Sequence, residues 1–408
     1  MKILFISQYF YPEQFSNNSL ALELVQREHR VTVIPSVPNY PSGTFFPGYS
    51  NKSCRTEVWK NIKIHRARTI SRGNHPFRLI LNYVTYPITA FIVILNLKPD
   101  NYDVSFTSMP SPLTQSIPSI IIKWLYGTPS VYWVQDIWPD SAIHILGINN
   151  RLITKVLNRV CGWMYRRADI LLIQSEAFRS KMEGFGVDPQ RIRFLPNTAP
   201  NIYRPIAKKE VSSDIQDLID DSKFNVMFAG NIGEAQDISN IIAAAEILRA
   251  CDDICFIFLG SGRYQEKAQA QVDIAKLGKQ VKFLGRYDES QMPSFFALAD
   301  VMLVTLQDNP VFRLTVPYKI QCYMACGRPI IASLNGEGAD VVRRSRSGIS
   351  VAAENPAVLA DAILEMRNMD SKGRKEMGKN ARSYYKQYYS NKAVYDILEN
   401  ALQDTVLN

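Results

Sequence analysis

Short apolar runs recur along the chain, each followed by a polar turn and then by a stretch whose apolar positions fall three and four apart. In the first half, Lys2–Ser7 (KILFIS), Val31–Pro35, Val104–Ser108, Val131–Val134, Ile170–Ile173 and Ile192–Phe194 read as strands. Runs without polar alternation are what strands buried on both faces require. Ser19–Arg27 reads as a helix between the first two. From Pro196 to Glu210 the pattern lapses into Pro, Asn and Lys, as in an interdomain linker. It then restarts with strands at Phe224–Ala229, Ile254–Leu259, Val281–Leu284, Val301–Thr305 and Pro329–Ala332, and with helices at Ile238–Ala250, Tyr264–Leu277 and Gln291–Leu298. Strand following helix in two successive series predicts an α/β protein with two doubly wound, mainly parallel sheets, right-handed crossovers and a cleft between them. The expected domains are residues 1–200, 201–375 and a closing helical segment, 376–408, charged and rich in tyrosine, that bridges back to the first.

Two segments depart from this rhythm. Val37–Tyr49 (VPNYPSGTFFPGY) is rich in proline, glycine and aromatic residues, which excludes a helix or central strand and suits a functional loop. Leu79–Leu97 is the most apolar run and nearly long enough to span a bilayer, but Asn82, Thr85, Pro87, Thr89 and Asn96 interrupt it before Lys98-Pro99-Asp100 leads into the next strand. A core helix, or one lying on a membrane surface with Arg72, Arg78 and the basic stretch Arg151–Arg167 at its rim, is the expectation.

Length changes little in this picture, since 408 residues exceed one ordinary core. Charge changes more. Through Arg204, 23 Lys and Arg stand against 12 Asp and Glu; after it the count is 24 against 26. A basic first half beside a near-neutral second suggests an anionic partner such as a phospholipid surface or a lipid diphosphate. Nucleic acid is not expected, because the basic residues alternate with core-like runs and no recognised motif is present. Six scattered cysteines (54, 161, 251, 255, 322, 326) and a chain that opens on a strand point to a reducing cytoplasm and to buried thiols. His29, His65, His75 and His144 form no metal-binding pattern, and no Asp-x-Asp pair occurs, so a metal-free chemistry is expected.

The chemistry concentrates in Val316–Val342 (VPYKIQCYMACGRPIIASLNGEGADVV). Pro317 suits the first turn of a short helix and Gly327 its end. Tyr318 and Lys319 then lie where backbone N–H groups and the helix dipole favour an anion, with one ammonium added, an arrangement suited to a diphosphate. The following strand leads into the loop Ser333–Gly338, which holds Asn335, Gly336, Glu337 and Gly338 at a strand's carboxyl end, where open α/β sheets bind ligands. Three other loops hold equivalent places: Gly230-Asn231-Ile232-Gly233, Gly260-Ser261-Gly262-Arg263 and Gly285-Arg286. The second opens like a dinucleotide fingerprint but has Gln265 at the third glycine, which excludes that cofactor. In the first half Asp136, in Gln135-Asp136-Ile137-Trp138-Pro139-Asp140, either orients an acceptor hydroxyl or caps a helix. Trp133 and Trp138 either stack on a sugar or fill the core.

Taken together, KILFISQYFYPE, PNYPSGTFFPGY, VQDIWPDS, FAGNIGEAQD and the Val316–Val342 segment resemble retaining glycosyltransferase family 4, with its two-domain GT-B fold, in the WbuB/WcaI-like branch that builds O-antigen, capsule and colanic acid. The resemblance runs over nearly the whole chain. It implies transfer of a sugar from a uridine or guanosine diphosphate sugar to a lipid-diphosphate-linked saccharide, without metal or other cofactor, at the cytoplasmic face of the inner membrane. Asp136, Lys319 and Glu337 become the catalytic candidates. Gly230, Asn231, Gly233, Gln236, Gly262, Arg263, Arg286, Tyr318, Asn335, Gly336 and Gly338 are the donor-binding candidates, and Asn17, Asn39, Tyr40 and Trp138 the acceptor-binding ones. Departures are equally specific. Leu314 and Cys322 stand where two family glutamates are usual, the second of which holds the donor ribose. Ser16-Asn17-Asn18 replaces a double glycine, and Gln236 lies near a missing basic residue. A nucleotide-sugar epimerase of the same architecture, or a binding subunit without turnover, are the alternatives these departures leave open.

Overall fold

The computed structural model describes residues 1–53, 55–73, 75–98 and 101–407, without the side chains of residues 76 and 144–146. Cys54, Pro99, Asp100 and the His144 side chain therefore lie outside the described residues. Two compact units form, one from Met1–Pro196 with Tyr395–Asn408, the other from Asn197–Val394.

The first unit carries an eight-stranded sheet of β1 (Lys2–Ile6), β2 (Arg30–Ile34), β3 (Thr56–Trp59), β4 (Ile62–His65), β5 (Val104–Met109), β6 (Ser130–Val134), β7 (Ile170–Ile173) and β8 (Ile192–Phe194), in the order β3-β4-β2-β1-β5-β6-β7-β8. Every pairing is parallel except the β3/β4 hairpin. Phe5 on β1 lies opposite Val33 on β2 and Phe106 on β5, which gives the apolar runs their common interior. The hairpin was not legible as strand: TEVW and IKIH are short, carry charged residues and occupy the sheet edge, where burial does not demand an apolar run.

The long apolar run is a helix, Pro76–Asn96. Tyr86, Ala90 and Ile94 pack it against Leu4, Ile6, Ile34 and Ile122, and the Tyr86 phenol donates to Ile34 O at 2.6 Å. That packing makes it a core helix of this unit on one face. The opposite face, Phe77, Ile80, Val84, Ile88 and Ile92, is exposed, Phe77 by 61%.

In the second unit β9 (Phe224–Ala229), β10 (Ile254–Leu259), β11 (Val281–Gly285), β12 (Val301–Thr305), β13 (Ile330–Ser333) and β14 (Gly348–Val351) form an all-parallel sheet in the order β11-β10-β9-β12-β13-β14. The order reverses between β9 and β12, so the loops leaving their carboxyl ends open a crevice of the kind that binds ligands. The closing segment is not one helix. Ser371–Tyr384 runs into a π-helical turn, Tyr385–Tyr389, and Ser390 (ψ 149°) breaks the chain before the helix Asn391–Leu407. The end of that last helix belongs to the first unit: Arg27 pairs with Asp396 (2.8 Å) and Glu399 (2.6 Å), and Arg193 with Asp404 (2.7 Å).

Candidate active site

Where β9, β10 and β11 end, their loops are stitched together by backbone bonds. Gly230 N–H donates to Leu259 O (2.8 Å), Gly260 N–H to Gly285 O (2.7 Å) and Ile232 N–H to Ser261 O (3.0 Å). Two positions need glycine. Gly260 has φ +129°, and a Cβ there would lie 1.9 Å from Gly230 O; Gly230 has φ +138°, and a Cβ there would lie 2.5 Å from Lys319 Cε. The lysine side chain thus runs directly over the first loop.

Lys319 belongs to the helix Tyr318–Ala325. Pro317, expected inside its first turn, is instead the cap, with extended backbone (φ −57°, ψ 131°), while Gly327 ends the helix left-handed as expected (φ +65°). The buried Tyr323 phenol lies 3.1 Å from both N and O of Ala229, which fixes the helix to the end of β9. The N–H groups of the first turn have no intrahelical carbonyl to bond and mark an anion-favouring end. The Lys319 ammonium sits 3.9 Å above the Phe228 ring centroid and donates to Gln236 Oε1. Among the described residues no carboxylate pairs with it, and burial pushes its pKa down to about 7.

These groups line a cavity of about 580 Å³. Of the residues expected to bind a donor, it brings together Gly230, Asn231, Gly262, Arg286, Tyr318 and Lys319. Gln236 joins through its bond to Lys319, and Gly233 closes the same loop against Asn231. Arg263 is exposed and does not line the cavity; neither do Asn335, Gly336, Glu337 and Gly338. The reason for the latter group is local. The expected loop ends at Gly336, and Glu337 opens a helix, Glu337–Arg344, on which its carboxylate accepts from Arg344 Nη2 at 2.6 Å. Arg344 Nε in turn donates to Tyr384 Oη at 2.9 Å. Tyr203, Tyr287 and Glu289, which the sequence did not single out, also line the cavity, as does Cys322, at the position of the family's ribose-holding glutamate. Tyr203 lies in what reads as linker, and Glu289 lies just ahead of the expected helix Gln291–Leu298, in a 3-10 turn (Glu289–Gln291) capped by Asp288.

The first unit's candidates occupy two places. Asp136 accepts a bond from Ser141 Oγ near the start of the helix Asp140–Leu146; burial pushes its carboxyl up, and hydrogen bonds from Ser141, Ile137, Ser111 and Trp138 oppose this. Trp138 Nε1 donates to Ser111 Oγ at 3.2 Å. Trp133 is core, its Nε1 donating to Leu195 O at 2.9 Å. Asn17 is buried and braces the β1 loop, donating to Ser7 Oγ (2.8 Å) and accepting from Ser108 Oγ (2.6 Å). Asn39, fully buried, donates to Val37 O (2.8 Å) and accepts from Arg72 N–H (3.0 Å). Tyr40 is the more exposed member of an aromatic group with Tyr9 and Phe15, and the Arg72 guanidinium lies 5.4 Å from its centroid. Glu13, which the sequence did not single out, anchors this loop by accepting from the N–H groups of Asn39 (2.8 Å) and Tyr40 (2.7 Å); burial pushes its pKa up to about 7.

Among the described residues no three His, Cys, Asp or Glu side chains converge as a metal site. Cys161, Cys255, Cys322 and Cys326 are buried free thiols, and Cys251 is half-buried.

Comparison with known proteins agrees with this architecture. The glycosyltransferase family 4 model matches residues 16–199, and the group 1 glycosyl transferase model matches residues 223–368. WbjE of Pseudomonas aeruginosa, described as a probable glycosyltransferase, is 25% identical over 84% of this chain and 83% of its own. WcaI of Escherichia coli K12, named for colanic acid biosynthesis, is 22% identical over 80% and 82%. Among solved structures, HepE of Anabaena in complex with UDP superposes with a TM-score of 0.73 at 17% identity, covering 99% of this chain and 100% of that one. Sucrose-phosphate synthase of Thermosynechococcus elongatus gives 0.73 at 15%, covering 99% and 98%. With one family model on each unit and GT-B enzymes as structural neighbours, the chain belongs to the family 4, group 1 glycosyltransferases and has the GT-B fold.

Proposed function

We propose that this glycosyltransferase moves a sugar, with retention of configuration and without a metal, from a nucleoside diphosphate sugar to a saccharide linked to a lipid diphosphate, in the assembly of a bacterial surface polysaccharide such as O-antigen or capsule. The observation that carries the reading is Lys319: a single ammonium, unpaired with any described carboxylate, held at a helix start over a glycine loop inside a nucleotide-sized cavity. Uridine is the favoured base, because the structural neighbour HepE is described in complex with UDP. In the reaction the bond from the sugar's anomeric carbon to the β-phosphate oxygen breaks, and a bond to the acceptor hydroxyl oxygen forms on the same face. The acceptor's proton passes to the departing phosphate. Lys319 and the helix amides stabilise the negative charge that grows on the leaving diphosphate. WbjE and WcaI, whose names place them among glycosyltransferases and in colanic acid biosynthesis, support the pathway class.

The same reading has the protein resting on the cytoplasmic face of the inner membrane, where a lipid-linked acceptor is found. Supporting this are the basic first half of the chain and the exposed apolar faces of three of its helices.

The test is incubation with UDP- and GDP-sugars and a polyprenyl-diphosphate-linked saccharide, followed by mass spectrometry of the lipid product. A glycosylated lipid is expected. Lys319→Ala lowers turnover or donor affinity by at least ~10-fold, the scale of one charge-assisted contact. Isomerised donor without transfer, or binding without product from every donor, overturns the reading, as does a folded Lys319→Ala enzyme with unchanged kinetics.

A further inference from the structure

The cavity has two chemically different ends. At one end Lys319, Gly230 and Asn231 offer an ammonium and backbone groups suited to phosphate. One helical turn further along, about 5 Å, Cys322 faces the same space and a different set of groups surrounds it. Tyr203 Oη donates to Glu289 Oε1 at 3.2 Å, and Tyr203, Tyr318 and Cys322 line the same part of the cavity. Burial pushes the thiol and both phenols up, so all three stay neutral. Glu289 is the one carboxylate among the cavity's lining residues.

A carboxylate repels a diphosphate and serves no purpose beside one. It matches instead the part of a nucleoside diphosphate sugar that presents two adjacent O–H donors, the 2′,3′-diol of the ribose. A single methylene separates that ring from the α-phosphate, so the diol falls about one helical turn from the diphosphate. A neutral thiol at Cys322 is a weak acceptor and makes no charge-assisted bond. We infer that Glu289, oriented by the Tyr203 hydroxyl, receives the donor's ribose hydroxyls from the turn after β11, in place of any acceptor on the Tyr318–Ala325 helix. The inference rests on the nucleotide-sugar reading and gives it a specificity determinant. Tyr203 is then a positioning residue, and Glu289 a binding residue.

The experiment is calorimetric titration of the full chain with UDP or GDP, whichever binds tighter, and with the 2′-deoxy and 3′-deoxy forms of that nucleotide. The proteins are wild type, Glu289→Gln, Glu289→Ala and Glu289→Ala/Cys322→Glu, with thermal midpoints recorded to confirm folding. Wild type is expected to lose about 10-fold in affinity for each missing hydroxyl. Glu289→Ala is expected to bind the parent nucleotide at least ~10-fold more weakly and to lose the discrimination against both deoxy forms. The double variant, with a carboxylate returned on the helix, regains part of that discrimination. Discrimination that persists in Glu289→Ala, or that is absent from wild type, overturns the inference and leaves the donor reading standing. A Glu289 effect that tracks the base, equal for ribose and deoxyribose forms, assigns the carboxylate to base recognition and also overturns it. Failure of wild type to bind UDP or GDP at all overturns the donor reading, and this inference with it.

Discussion

An ammonium held against an aromatic face and an amide oxygen, away from carboxylates, must give up its proton easily, and Lys319 is pushed down to about 7 for that reason. A bound diphosphate reverses the balance by supplying the missing opposite charge. The protonated form binds the donor, so affinity for an intact nucleotide sugar, whose diphosphate diester does not itself titrate near neutrality, falls as pH rises through about 7. Above that pH binding takes up a proton. Calorimetry of UDP-glucose in two buffers of different ionisation enthalpy, between about pH 6 and 9, reads both effects. Lys319→Met is expected to remove the slope. Stability of the unliganded fold runs the other way. The folded lysine is depressed below its ordinary value of 10.5, so its destabilising effect is full below about pH 7 and is relieved progressively as pH rises toward 10.5. Lys319 was legible in the sequence because Pro-Tyr-Lys after a turn announces a helix start. Glu289 was not, because Asp-x-x-Gln announces a cap equally well, and only the fold brings Tyr203 to it across the linker. The pairing of Glu337 with Arg344 was hidden too, since it requires the helix to begin at Glu337 rather than after it.

Among the elements, β1, β2 and β5 to β13 fall within a residue or two of the runs that predict them, the edge strands β8 and β11 included, because each keeps a short apolar run. The β3/β4 hairpin and the edge strand β14 do not announce themselves: TEVW and IKIH alternate with charged residues, and GISV is only half-buried. The closing segment kept helical periodicity across Ser390, where the backbone nevertheless turns out of the helix. The element that positions the site depends on one hydroxyl. Tyr323 Oη serves both the N–H and the carbonyl of Ala229, at the point where β9 gives way to the glycine loop. Tyr323→Phe keeps the ring but leaves those buried backbone groups without it, which costs about 1–3 kcal/mol. Equilibrium urea denaturation should show that loss. UDP affinity should drop as well, because the helix start and Gly230 are no longer fixed to each other. A variant as stable as wild type would show that the loop and the helix hold their places without this bond.

At the scale of the whole molecule, charge and exposed apolar surface coincide in the first unit. The helix Arg151–Tyr165 exposes Leu152, Ile153, Val156, Val160 and Trp163 along one face, Leu152 by 71%, and carries exposed Arg151, Lys155 and Arg159 four residues apart beside them. The helix Ile117–Tyr126 carries Trp124, 81% exposed, in its last turn, and the helix Pro76–Asn96 adds its uncovered stripe. On the proposed membrane-surface reading, apolar face and basic flank match an anionic bilayer, and the helix Pro76–Asn96 would lie on it rather than across it, because its other face packs into the core. A basic residue close to an anionic membrane surface contributes about 1 kcal/mol. Removing three, as Arg151→Gln/Lys155→Gln/Arg159→Gln, should therefore weaken binding to phosphatidylglycerol-containing vesicles on the order of 100-fold, with little effect on neutral phosphatidylcholine vesicles. Sedimentation with sucrose-loaded vesicles measures this, and raised salt should reproduce the effect in wild type by screening. Trp163→Ser should lower binding to both lipid compositions, because it removes buried apolar area rather than charge. Wild-type binding that ignores both salt and lipid charge would mean that the basic flank has another partner.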